Sequence, residues 1–143
     1  MIIRLLPPEG RAFRAEALDA LEQALFGTAP LALIAAWTAK KGGEADKGSA
    51  NRGGRNARNA VSVWESMLHD ALRLSAGAPL MQNPDRENLA RRIAAHFTSA
   101  QIEDMIDKIV GAQEMLYNRA NPQFALDALT SKLLVARMGG RAE

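Results

Sequence analysis

Residues 98–134, TSAQIEDMIDKIVGAQEMLYNRANPQFALDALTSKLL, read as two helices joined by a tight turn, and that reading decides the fold. Thr98 and Gln101 have the spacing of a capping box, in which each side chain satisfies a backbone amide at the helix start. Ile102, Met105, Ile106, Ile109, Ala112 and Leu116 then recur at three- and four-residue steps, predicting one apolar helix face that runs to about Arg119. Glu103, Asp104 and Asp107 fall in the early turns, where carboxylates oppose the positive end of the helix dipole. Asn121 can accept from the first unpaired amides of a second helix, and Pro122 in its first position sacrifices no intrahelical bond. Phe124, Ala125, Ala128, Leu129 and Leu133 supply the apolar face of that helix, and Gly139 with Gly140 ends it.

The same periodicity extends upstream. After Pro7 and Pro8, the positions Phe13, Ala17, Leu18, Leu21, Leu25 and Phe26 predict one amphipathic helix stopped by Gly27. Thr28 can cap a second helix, with Pro30 in its first turn and Leu33, Ile34 and Trp37 on one face. The stretch KKGGEADKGSANRGGRN, residues 40–56, then holds five of the chain's eleven glycines and no large apolar side chain, which predicts an exposed, mobile loop. Helical spacing resumes at Val61, Trp64, Met67, Leu68, Ala71 and Leu74, a Gly- and Pro-rich connection covers 75–85, and Leu89, Ile93 and Phe97 mark a short helix. No segment alternates with period two long enough to make a strand. The expectation is an all-α bundle of five to six helices in one domain, 1–143: two helices over 10–41, a basic glycine-rich loop over 42–56, and the rest over 57–138.

Composition agrees with helices. The 143 residues are 48% apolar and 24% charged, with only 5% aromatics, so Leu, Ile, Ala and Met must fill the core. The absence of cysteine excludes disulfides, thiolate metal sites and a Cys nucleophile. The longest apolar run, residues 29–38, is about half a membrane span and contains Pro30, and MIIRLLPPEG has too short an apolar core for a signal peptide. A cytoplasmic protein without a membrane partner is expected. Net charge is +2 with a pI near 9.3, and the excess is local: Lys40, Lys41, Lys47, Arg52, Arg55 and Arg58 face only Glu44 and Asp46.

Catalytic and ligand-binding patterns are missing. GEADKGS at 43–49 places Lys47 before Gly48, with no strand leading in, so it does not make a phosphate loop. His69 and His96 lack a second ligand-type residue four positions on, and both read as helix-surface or partly buried side chains. Trp37 and Trp64 are spaced as core anchors rather than as exposed base-stacking platforms. No catalytic residue, cofactor, metal or small-molecule substrate is expected. The basic residues Lys40, Lys41, Lys47, Arg52, Arg55 and Arg58 read either as a solvated insertion or as a salt-sensitive contact to a phosphate backbone.

Several of these motifs together resemble a known family. VWESMLHDALRLSAGAPLMQNPD, in which the Trp64 helix ends in Leu72, Arg73 and Leu74 and the AGAP loop leads to Asn83, is one part of the likeness. The TSAQ helix start and the Asn118-Arg119-Ala120-Asn121-Pro122 entry, followed by Leu126 and Leu129, are the other. Over about residues 57–135, and more loosely over 11–40, the chain resembles the C-terminal collar domain of the bacterial DNA polymerase III clamp-loader delta-prime subunit and its gamma/tau relatives. The resemblance implies a helical bundle that packs with like domains into a collar, holding together the ring that loads the sliding clamp during DNA replication. It implies other clamp-loader subunits as hetero-oligomeric partners, with DNA reached only through the complex. The ATPase and zinc modules of that family have no counterpart here, so no enzymatic activity is implied for this chain. On this reading Asn118, Asn121 and Pro122 fix the last interhelical turn, the final helix packs inward through Phe124, Leu129 and Leu133, and Met67, Met115, Tyr117 and Met138 are candidate interface residues. A nucleic-acid-binding module using residues 40–58 is the competing expectation.

Overall fold

The computed structural model describes residues 8–27, 50–78, 82–118 and 121–139, with backbone alone for 8–11, 50–56 and 139. Within them lie five α-helices and one 3-10 turn: α1 (Pro8–Phe26), α2 (Ala50–Ser75), the turn η1 (Pro84–Arg86), α3 (Glu87–His96), α4 (Ser99–Tyr117) and α5 (Pro122–Gly139). The fold is an all-α bundle. The predicted helix over Thr28, Pro30, Leu33, Ile34 and Trp37, together with Lys40, Lys41 and Lys47, lies outside the described residues.

The long α2 is the axle of the bundle, packing against α1, α3, α4 and α5. Its face of Ala57, Ala60, Val61, Trp64, Met67, Leu68 and Ala71 is buried throughout. Trp64 anchors α1 as well: its Nε1 donates to the Ala17 carbonyl at 2.7 Å, so the indole buries its ring without orphaning its one donor. From the other helices Leu18 and Leu21, Ile93, Ile102, Met105 and Ile109, and Leu126, Leu129 and Leu133 close the core.

Helix ends follow the sequence closely. Thr98 Oγ1 accepts from the Gln101 amide at 3.1 Å while Gln101 Oε1 accepts from the Thr98 amide at 2.9 Å, a complete capping box. Asn121 Oδ1 accepts from the Phe124 amide at 2.9 Å, and Pro122 opens α5 as predicted. The chain leaves α2 through Gly77 at φ +81°, a left-handed conformation open to glycine and strained for most other residues.

Three expectations need correcting. α2 starts at Ala50, so residues 50–56 of the expected loop are helical, including Gly53 and Gly54. Each glycine costs about 1 kcal/mol relative to alanine, but the packed face from Ala57 onward has already nucleated the helix, and adding turns to it is cheap. Phe124, expected in the core, is 62% exposed, because Ala125, Leu129 and Leu133 define a buried row on the opposite side of α5. α4 stops at Tyr117, two residues short of the expected Arg119.

Candidate functional site

A buried polar network holds the connection between α2 and α3. Asp70 is fully buried on α2. Its Oδ1 accepts from the Gln82 amide at 2.7 Å and from Arg73 Nη1 at 3.2 Å. Its Oδ2 accepts from the Asn83 amide at 2.7 Å and from Asn83 Nδ2 at 3.0 Å. Four donors replace the lost water, which is what a buried carboxylate requires. Asn83 is itself buried and passes the network outward, its Oδ1 accepting from Arg14 Nη2 at 2.5 Å. Arg14 also donates to both oxygens of Asp85, at 2.8 and 3.0 Å. That hydrogen bond holds the Asp85 carboxyl below the usual carboxylate range; partial burial opposes it, and the positive charges of Arg14 and Arg86 add to it. Sequence reasoning noted Asn83 but missed Asp70 and Arg14, since nothing in their spacing marks them as partners. All of this chemistry is spent on holding α1, α2 and η1 together.

Most other charged side chains are likewise engaged. Arg86 pairs with Asp19 at 3.2 Å and Arg92 with Glu22 at 2.6 Å, and the Arg92 guanidinium lies 4.0 Å above the Phe26 ring. His96 stands edge-on to Phe26 with ring centres 5.1 Å apart, and His69 faces Glu65 at 3.4 Å, so both histidines have structural neighbours. Trp64 is a core anchor, as expected. Among the described residues no three His, Cys, Asp or Glu side chains converge to hold a metal ion, and no helix is long and apolar enough to cross a membrane.

Two surface features stand out among the described residues. The first is α5, which is apolar on both sides. Opposite its core row stand Phe124, Val135, 67% exposed, and Met138, 63% exposed, with the small Ala128 and Ser131 between them. These five positions follow one another at steps of four, three, four and three residues, a single line along the helix. Asp127 and Lys132 flank it.

The second is an open groove of about 420 Å³ between α2 and α4. Arg58 and Ser62 of α2 form one wall. Val110, Glu114 and Tyr117 of α4 form the other, with Asn118 just past the helix end. Gln113 lines it too, its Nε2 tied to Glu65 Oε1 at 2.8 Å. Tyr117 is 81% exposed.

The candidate residues therefore scatter. Met138 is exposed on the α5 line, whereas Met67 is fully buried and belongs to the core. It falls three residues after Trp64, on a helix covered from several sides, so its stripe is wide and leaves no outer edge. Met115 is half-buried against the core, and Tyr117 lines the groove. Asn118 ends α4 through its backbone amide, which donates to the Glu114 carbonyl at 3.0 Å, and Asn121 caps α5. Of the basic residues only Arg58 has a described side chain, exposed at the groove; Arg52 and Arg55 are helical positions in α2. No family model, no curated protein and no solved structure matches this chain.

Proposed function

We propose that this chain is an assembly module without catalytic activity of its own, joining subunits of a larger hetero-oligomer through the outer face of α5. The observation that carries the reading is the line Phe124, Ala128, Val135 and Met138, opposite the core face of the same helix. A helix apolar on both sides suits a position between two bodies rather than the edge of one. Interfaces that persist have an apolar centre with a polar rim, and Asp127 and Lys132 provide rim charges here. The resemblance of residues 57–135 to clamp-loader collar domains gives the assembly a specific identity: the collar of a bacterial DNA polymerase III clamp loader, in the cytoplasm.

The test is light scattering coupled to size-exclusion chromatography, on the chain alone and mixed with the remaining clamp-loader subunits of its source. The chain is expected to enter a stoichiometric complex, and Val135→Glu with Met138→Glu to prevent entry while leaving the melting temperature unchanged. A wild-type chain that elutes alone from that mixture overturns the clamp-loader reading. A complex that tolerates both substitutions removes α5 as its contact surface.

A further inference from the structure

The α2–α4 groove offers chemistry that neither the core nor the α5 line uses. Tyr117 leaves a whole aromatic ring in solvent at its rim, in a chain poor in aromatics. Arg58 has no ion-pair partner among the described residues, whereas Arg14, Arg73, Arg86, Arg91, Arg92 and Arg137 are all engaged. The first acidic residue of α2 is Glu65, so the helix carries only positive charge from Ala50 to that point. Arg52 and Arg55 precede Arg58 in the sequence of the same helix. At the other side Glu114 and Asn118 add a carboxylate acceptor and an amide that both donates and accepts.

We infer that this groove binds single-stranded nucleic acid, with an unstacked base on the Tyr117 ring and the adjoining phosphate at Arg58. Base-on-aromatic stacking plus a track of cations is how sequence-tolerant single-strand sites are built. A duplex is a poor fit, since its bases are already stacked and paired. Glu114 repels phosphate but accepts from an exocyclic amine, so it favours cytosine, whose N4 donates, over thymine. That carboxylate also disfavours an acidic peptide, the other polyanion Arg58 could attract. The surface differs from the α5 line, and its test needs no partner subunit, so either reading can fail without the other.

The experiment is fluorescence anisotropy of labelled oligodeoxycytidylate and oligodeoxythymidylate with the full chain, over salt from about 50 to 200 mM. Tyr117→Ala is expected to weaken binding about tenfold at fixed salt, and Tyr117→Phe to restore it, because the ring is retained. Arg58→Ala is expected to lower the slope of log affinity against log salt by about 0.7, one phosphate contact on a single strand. Glu114→Ala should erase the preference for the cytidine oligomer. Tyr117 and Arg58 are exposed, and unchanged melting of each variant keeps the comparison clean. No binding at the lowest salt overturns the inference. So does binding that Tyr117→Ala leaves intact, or displacement of the oligomer by a polyglutamate peptide at equal charge.

Discussion

Asp70 has the most consequential single side chain described. A carboxylate with no solvent access contributes stability only because Gln82, Asn83 and Arg73 supply its donors, and those donors in turn depend on it. Asp70→Ala strands the buried amides of Asn83 and is expected to lower the unfolding free energy by about 3 kcal/mol, measured by urea denaturation at neutral pH. A loss below about 1 kcal/mol would mean that water reaches those amides, which contradicts the burial seen here. Asp70 was illegible in the sequence. In WESMLHDALRLS it reads as an ordinary surface charge, and its principal donors lie 12 and 13 residues away, across a connection with no fixed period. Trp64 was legible, because bulk and helical spacing alone place it in the core; its bond to Ala17 was not.

Helices were the most legible elements, and their ends more so than their faces. Thr98 with Gln101, and Asn121 with Pro122, specify helix starts by local hydrogen bonding, so four residues carry the whole signal. Asn121→Ala removes the acceptor for the Phe124 amide and is expected to cost about 1 kcal/mol, read as a lower melting temperature; an unchanged melt would refute the cap. Faces are harder because α5 has two apolar ones: Phe124 and Ala125 are neighbours in sequence, and only packing decides which turns inward. The start of α2 failed for a related reason. Gly53 and Gly54 are local signals for a loop, but the buried face that follows them extends the helix back over both. The groove was invisible as a site, although Tyr117 and Arg58 had each been singled out for separate reasons, since residues 59 apart in sequence meet only when α2 and α4 pack.

Across the whole molecule, α1 is clasped to the η1–α3 segment by three ion pairs, Arg14 with Asp85, Arg86 with Asp19, and Arg92 with Glu22. Such exposed pairs contribute little each and are screened by salt. Their pH dependence is nevertheless defined. Asp85 is held below its ordinary range in the folded state, so its contribution is fully present above that range and is lost as pH falls through the lowered value. Asp85→Asn is therefore expected to lower the melting temperature slightly at neutral pH and to leave it unchanged in acid, which flattens the fall on acidification below about pH 4; an unaltered acid limb would show that the clasp does not contribute.

The guanidinium of Arg137, near the end of α5, donates to the carbonyls of Ala24 and Gly27 at 2.9 and 3.1 Å, finishing α1 from 113 and 110 residues away. The contact closes a loop nearly as long as the described chain, and loop closure costs entropy before any contact returns it. Neighbouring pairs such as α2 with α3 and α4 with α5 form at much shorter separation. Synthesis makes α1 before α5, so the donors that Arg137 brings to Ala24 and Gly27 arrive only when α5 has been translated. That contact joins the first described helix to the last, so it forms only once nearly all of the described chain has been made.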